Sequence, residues 1–377
     1  MVRVCHLTSV HQAYDTRILL KECRSLANAG YKVHLVAPHH QDEVFDAVKI
    51  IAVKRNSNSR LFRALFFSWK IFFVGLKTQS KVYHFHDPEL IPVGILLVLL
   101  GKKVIFDVHE NVAKQIRLKE YLPFRQLFSK LYGLFDFISA KLFYLILAEN
   151  SYKPIYENHT KKLETVLNMP DISLLSKFEQ KVRPKNETIE LYYLGGITFN
   201  RGIGIIIEAL EILKDQGHQV KFHCIGPIEN HVMKQIEGLE IYNQVKSTIR
   251  FYGAMRLDKA LEFSMSCHIG LSVLLPVQNY LESYSTKIFE YMAIGLPVIT
   301  SNFALYESVI EKYNCGICID PLSPAELAQA IAKLSSSNEL RMSMAKNGID
   351  AAKNSFNWKV EEKKLLNVYR KLSGFND

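Results

Sequence analysis

Only six cysteines occur in 377 residues, at positions 5, 23, 224, 267, 315 and 318, and no two pairs share a zinc-finger or zinc-ribbon spacing. Cys315 and Cys318 are formally a C-x-x-C. Cys318 sits in the apolar run 316–319, however, which reads as a strand, and no second pair exists, so neither a zinc nor a redox role is expected. The opening residues MVRVCH read as a strand, with no apolar stretch and cleavage site of the secretory kind, which leads to an expectation of cytoplasmic residence with reduced thiols. Long apolar runs are missing too. Residues 91–100 are too few to span a bilayer, and Arg63 and Lys70 interrupt the richer stretch around them. No helix-turn-helix, zinc-finger or RNP pattern accompanies the basic charge, so nucleic acid is not an expected partner. No Asp-x-Asp pair stands at a strand end to hold a metal, and internal repeats and low-complexity tracts are absent.

What remains is globular: 48% hydrophobic and 22% charged residues, in a length that suits two hydrophobic cores better than one. Strand-like runs at 2–7, 32–37, 50–53, 82–86, 103–108 and 145–149 alternate with helical stretches. A second set follows the polar segment 177–188, at 190–194, 220–225, 248–252, 269–273, 297–300 and 316–319. That alternation predicts an α/β protein with two doubly wound parallel sheets, in residues 1–168 and 169–355. Ligands of such sheets bind beyond the carboxyl ends of the strands, so the active cleft is expected between the two halves. Ser323 and Glu326 have capping-box spacing ahead of a helix.

The segment 282–290, ESYSTKIFE, carries two carboxylates eight positions apart. Either Ser285 or Thr286 would cap a helix there, with Glu282 in the loop before it and Glu290 just inside. Free amides at such a helix start suit a phosphate, and flanking carboxylates suit sugar and ribose hydroxyls. The spacing alone fits an amphipathic helix with two solvated glutamates equally well.

This segment resembles the E-x7-E signature of glycosyltransferase family 4, retaining nucleotide-sugar transferases of the GT-B fold. The resemblance extends, in order, through HLTS at 6–9, YDTR at 14–17, KECRSLA at 21–27, HFHDPEL at 84–90, DVHE at 107–110, GGIT at 195–198, RGI at 201–203 and FNW at 356–358. It implies two Rossmann-like domains, an acceptor half followed by a donor half, facing across a cleft. It also implies that residues 356–377 form a last helix crossing back onto the first domain. Gly195 and Gly196 would let backbone approach a diphosphate closely. The family neutralises that diphosphate with a basic pair. Arg201 occupies the second position, while the first holds Ile197 or Thr198, and Lys287 is a candidate substitute cation. Alone, Arg201 would read as a solvated helix-start residue. Glu282, Ser283, Ser285, Thr286, Lys287, Glu290 and the loop at Gly253 complete the expected donor set. Fixed cations and amides aimed at the leaving diphosphate lower the barrier directly, so no metal and no cofactor is expected. Retention of configuration is what the resemblance implies.

On the acceptor side, His84 and His86 share one strand face. With no third ligand in view they read as structural rather than as a metal pair. His109, past the run 103–108 and before Glu110, is expected to contact sugar or acceptor, or to take the proton of the attacking hydroxyl. His86, Asp87, Glu110, Asp15 and Arg17 are expected at the acceptor opening, although loop aspartates often serve only as caps.

Lysine and arginine number 47 against 37 acids, giving a net charge of +10 that points to an anionic partner. Arg60, Arg63, Lys70 and Lys77 form a stripe among Leu61, Phe62, Phe66 and Trp69. Residues 114–141 mix Arg117, Lys119, Arg125 and Lys130 with Tyr121, Phe128, Tyr132 and Phe135. Such mixtures suit an anionic membrane surface. The first stretch equally fits a sheet-packing helix with a basic edge. The expected partners are a nucleotide-sugar and a glycan or lipid-linked acceptor, in bacterial surface polysaccharide synthesis at the inner face of the membrane. The alternatives are a non-catalytic relative that binds a nucleotide-sugar or glycan, or an epimerase of the same fold.

Overall fold

The computed structural model describes residues 1–55, 66–118, 124–180 and 188–374. They fall into two compact units, Met1–Asn168 with Lys359–Asp377, and Met169–Trp358. The residues at 60–63, 119 and 121 named above lie outside the described ones.

The first unit is built on β1 (Arg3–Leu7), β2 (Lys32–Pro38), β3 (Glu43–Phe45), β4 (Val48–Val53), β5 (Val82–Phe85), β6 (Lys103–Val108), β7 (Tyr144–Leu147) and β8 (Leu163–Thr165). Their order is β3-β4-β2-β1-β5-β6-β7-β8, parallel except for the antiparallel pair of β3 and β4. Strands covered by helices on both faces read as continuous apolar runs rather than alternating ones. In β2 every residue after Lys32 is buried. The register pairs His6 of β1 with His84 of β5. An exposed helix, α1 (Arg125–Leu142), follows β6.

The second unit holds β9 (Ile189–Leu194), β10 (Val220–Ile225), β11 (Ile249–Phe251), β12 (Ile269–Ser272), β13 (Val298–Ser301) and β14 (Gly316–Ile319). They are ordered β11-β10-β9-β12-β13-β14 and joined by parallel pairs. Between β12 and β13 lie the short helix α2 (Gln278–Glu282) and α3 (Thr286–Ala293). The capping box forms on one arm only. Ser323 Oγ accepts from Glu326 N at 3.2 Å, while Glu326 Oε2 accepts from Asp320 N at 2.8 Å instead of from the cap itself.

The last helix, α4 (Trp358–Ser373), belongs to the first unit from Lys359 onward. Leu365, Val368 and Tyr369 are fully buried there, and Glu361 Oε2 accepts from Leu167 N at 2.8 Å. Among the described residues no helix is long and apolar enough to cross a membrane. All six cysteines are free thiols, and only Cys318 is partly exposed.

In each sheet the winding direction reverses at one place, between β1 and β5 and between β9 and β12. Loops leaving the carboxyl ends of strands diverge there, and that divergence opens a crevice. The polar residues of both units gather at these two places.

Candidate active site

In the second unit, β9 runs out into Gly195 and Gly196. Gly195 has φ 141°, and a Cβ there would stand 2.7 Å from Lys287 Cε, 3.4 Å from Lys287 Nζ and 3.7 Å from Arg201 Nη1. A side chain at this position would strike the lysine, so glycine is required. Gly226, after β10, is equally constrained, because a Cβ on it would overlap the Gly195 carbonyl. Gly226 N in turn donates to Gly253 O at 2.9 Å, so the glycine turns after β9, β10 and β11 stack side by side.

Two cations thus flank one bare stretch of backbone. Arg201 is half-buried and only loosely held, with Nε 3.5 Å from Tyr280 Oη and Nη1 3.4 Å from Gly196 O. Lys287 lies with its ammonium 4.9 Å from the centre of the Tyr193 ring. Burial, and then the nearby Arg201 guanidinium, bring Lys287 down to about 8, with Glu290 opposing the shift. A lysine strained this way gains from any incoming anion.

Ser285 occupies the N-cap position of α3, but its hydroxyl bonds Ser272 Oγ at 3.0 Å, so it does not cap as expected. The Ser285 side chain therefore leaves uncapped the helix start where Thr286 and Lys287 begin α3. Glu282 closes α2 rather than lying in a loop, and Glu290 is in mid-helix, a full turn beyond Thr286. Ser283 Oγ donates to Asn279 O and so closes α2. Tyr306 Oη lies 3.1 Å from both Tyr280 O and Ser283 O and fixes the approach to α3. Tyr291 Oη accepts from Leu194 N at 2.9 Å and anchors the end of β9. These tyrosines were invisible to sequence reasoning, because nothing distinguishes them from core aromatics.

In the first unit, Asp107 on β6 organises the site. Arg17 grips it with two bonds, Nε to Oδ2 and Nη2 to Oδ1, both 3.0 Å. His86 Nδ1 lies 3.1 Å and His109 Nε2 2.9 Å from Oδ2. Burial opposes ionisation of Asp107. Arg17 and the two imidazoles outweigh it and hold the carboxyl well below the usual range. The approach of His109 Nε2 to Asp107 has the distance of an ion pair without the geometry of a hydrogen bond.

A cavity of about 490 Å³ opens beside this cluster, and His86, Asp87, His109 and Glu110 line it. His11 and Glu89 also line it; neither was among the expected site residues, although the turn at 87–89 was expected at the cleft edge. Asp87 Oδ2 collects Thr8 Oγ1 at 2.8 Å and Ser9 N at 2.6 Å, tying down the loop after β1. Asp15 and Arg17 do not line the cavity. Arg17 is 3% exposed, because the buried charge of Asp107 draws the guanidinium inward. Asp15 acts as a cap, accepting from Arg17 N at 2.9 Å and Ile18 N at 3.0 Å, and its second oxygen meets His11 Nδ1 at 2.9 Å. Asp107 itself was quoted only as part of a motif. Its signal was available, since a charge in the otherwise apolar run of β6 needs a partner.

Two α/β units built on parallel sheets, each with its polar residues at the carboxyl edge, define the GT-B class of fold. Residues 176–351 match the family described as Glycosyl transferases group 1, and residues 16–141 match Glycosyltransferase Family 4. The chain belongs to the group 1 glycosyltransferases. The capsular polysaccharide biosynthesis glycosyltransferase CapM of Staphylococcus aureus is 22% identical over 204 residues, 52% of this chain and 49% of CapM. The chain spans about half the length of the curated relatives it matches. Sucrose-phosphate synthase from Thermosynechococcus elongatus superposes with a TM-score of 0.77 over 99% of this chain and 100% of its own, at 17% identity. HepE of Anabaena, solved in complex with UDP-glucose, gives 0.70 over 100% of both chains, at 14% identity.

Proposed function

We propose that the protein transfers a sugar from a nucleotide-sugar to a hydroxyl of a glycan or lipid-linked acceptor, with retention of configuration and without a catalytic metal. The observation that carries this reading is the pair Arg201 and Lys287 beside the bare backbone of Gly195. Charge separates in the transition state between an oxocarbenium-like sugar and a departing diphosphate. Two fixed cations and the amides at the start of α3, which Ser285 does not cap, stabilise that diphosphate without waiting for solvent to reorganise. Lys287 does the work of the cation missing at Ile197 and Thr198. Glu282 and Glu290 take donor hydroxyls. His109, oriented by Asp107, contacts the acceptor or receives its proton. The neighbour solved with UDP-glucose supports a nucleotide-sugar donor.

The acceptor belongs to surface polysaccharide assembly, as with CapM. The protein works on the cytoplasmic face of the membrane. On α1, Leu127 is 63% and Leu131 49% exposed, beside Arg125 and Lys130, a composition suited to anionic headgroups.

The test is a thermal-shift screen of UDP-, GDP-, dTDP- and ADP-sugars, with and without Mg2+, with Glu290→Ala alongside. A ligand at one hundred times its Kd adds about 2.7 kcal/mol. One nucleotide class should shift the wild type without Mg2+ and shift the variant less. No shift with any sugar, or a shift that requires Mg2+, would overturn the donor assignment.

A further inference from the structure

Three imidazoles and a carboxylate converge in the core of the first unit, where a protein interior ordinarily holds apolar side chains. His6 comes from β1, His84 from β5, His86 from just beyond it, and Glu22 from the helical segment Ile18–Cys23. His6, His84 and Glu22 are fully buried and His86 is 2% exposed. Glu22 Oε2 lies 3.9 Å from His6 Nδ1, 3.8 Å from His84 Nδ1 and 4.0 Å from His86 Nε2. His6 Nδ1 and His86 Nε2 are 3.0 Å apart. One donor atom from each of the four lies within 4.8 Å of all the others. Nitrogen or oxygen ligands at 2.0–2.1 Å from a tetrahedral zinc stand about 3.3 Å from each other. The separations above bracket that value, so small side-chain movements close the set.

The carboxylate supplies an independent observation. Neither oxygen of Glu22 has a hydrogen-bond partner. Arg17 Nε approaches Oε1 at 3.0 Å, but it donates to Asp107, which already takes the guanidinium in two bonds. A second buried carboxylate therefore shares a cation that is fully engaged elsewhere, an arrangement that a further positive charge relieves. Two of the three outer ring nitrogens fit the same role, while the third, His84 Nε2, is buried without a hydrogen-bond partner. His86 presents its other nitrogen, Nδ1, to Asp107, and His6 presents Nε2 to Tyr369 Oη at 2.9 Å. Such partners orient histidine ligands toward metals. Two contacts compete for the ligating nitrogens: Tyr369 Oη lies 2.9 Å from His84 Nδ1, and the hydrogen bond between His6 Nδ1 and His86 Nε2 must open for both to face an ion.

We propose that His6, Glu22, His84 and His86 form a buried structural site for a tetrahedral divalent transition-metal ion of the zinc type. Three imidazoles and one carboxylate favour zinc over magnesium or calcium, and four protein ligands leave no open position for chemistry. Tyr369 keeps its bond to His6 and releases His84 when the ion binds. Through His86 the ion is tied to Asp107, and so to the orientation of His109. This site stands apart from the donor chemistry, which belongs to the other unit, and does not depend on the transfer reading.

The experiment is metal analysis of the full chain expressed with zinc, followed by titration of the chelated chain with Zn2+ and Co2+. The expected result is about one equivalent of zinc per chain, a rise in Tm on reloading, and a Co2+ absorption of tetrahedral form without thiolate charge transfer. Glu22→Gln and His84→Asn should each hold less than a tenth of an equivalent. His223→Asn, which alters the Glu190, His223 and Cys267 group of the second unit, should retain the full equivalent. Should the core variants fail to fold, the wild-type titration decides. Less than a tenth of an equivalent in the wild type after zinc addition, with Tm unchanged, would overturn the proposal. So would loss in His223→Asn with retention in Glu22→Gln.

Discussion

Nucleotide affinity should depend on pH through Lys287. Burial and Arg201 hold this lysine at about 8, some two and a half units below its usual value near 10.4. A diphosphate arriving beside it restores the preference for the charged form. Only the protonated fraction is then competent to bind, and the apparent Kd scales as the inverse of that fraction. At pH 7 roughly nine-tenths of the molecules carry the charge, and at pH 9 roughly one-tenth. UDP should therefore bind about tenfold more weakly at pH 9, a difference of about 1.4 kcal/mol. The phosphate groups themselves, with a last pKa of about 6, are about nine-tenths ionised at pH 7 and fully so at pH 9. Calorimetry in two buffers of different ionisation heat reads the same event as proton uptake, close to one proton per UDP at pH 9 and close to none at pH 7. Lys287→Met keeps most of the apolar stem, and it should bind about 10- to 100-fold more weakly at pH 7 with no slope.

The same shift carries a stability consequence of opposite sense. Between pH 8 and 10.4 the unfolded chain binds the lysine proton that the folded chain has released, so stability rises with pH across that window. Below pH 8 the folded chain carries the strained ammonium. Lys287→Met should then be more stable than wild type at pH 7, by about 1–2 kcal/mol once the partial exposure of the residue is allowed for. A flat UDP affinity in the wild type, or an equal slope in the variant, would refute the assignment of Lys287 as a diphosphate cation.

Asp107→Asn leaves Arg17 and His109 without their shared carboxylate. It should cost about 3–5 kcal/mol in denaturant unfolding and lower kcat about 10²- to 10⁴-fold, and a kcat near wild type would show that His109 needs no such orientation. In Gly270→Ala the new methyl would meet the Tyr291 ring at 2.5 Å. Overpacking of about 1–3 kcal/mol should follow, together with weaker UDP binding as Leu194 loses its anchor. Asp136 on α1 is raised to about 6 by burial, against the bonds from Tyr156. Its neutral form is the one the fold prefers, so stability is lost as pH rises from about 4 to 6. Asp136→Asn should then gain about 1–2 kcal/mol at pH 7 and nothing at pH 4, read from paired urea titrations.

Twelve of the fourteen described strands were legible as apolar runs, because parallel strands buried on both faces leave few polar interruptions. β3 and β8 were not, because they are three residues each and sit in no longer apolar run, whereas the equally short β11 lies within the run 248–252. Local chemistry was legible too: the glycine pair after β9, Arg201, and the E-x7-E segment all lie close to the elements that place them. Lys287 could be named as a substitute cation, but its distance to Gly195 depends on how α3 returns to the sheet.

What sequence could not reach was assembled by register. His84 and His86 showed their shared face, yet the partners that change their meaning, His6 and Glu22, arrive through the pairing of β1 with β5 and the return of a helix. Arg17 shows how such a reading can be repaired. Viewed in its own loop it is an exposed arginine at an opening. Viewed from β6 it is a requirement, because an ionised Asp107 fully buried among Phe106 and Val108 cannot persist without a cation. The same reasoning applied to Glu22 finds no unshared cation among the described residues. A buried carboxylate ringed by three imidazoles therefore either keeps its proton or holds a metal, and metal content distinguishes the two.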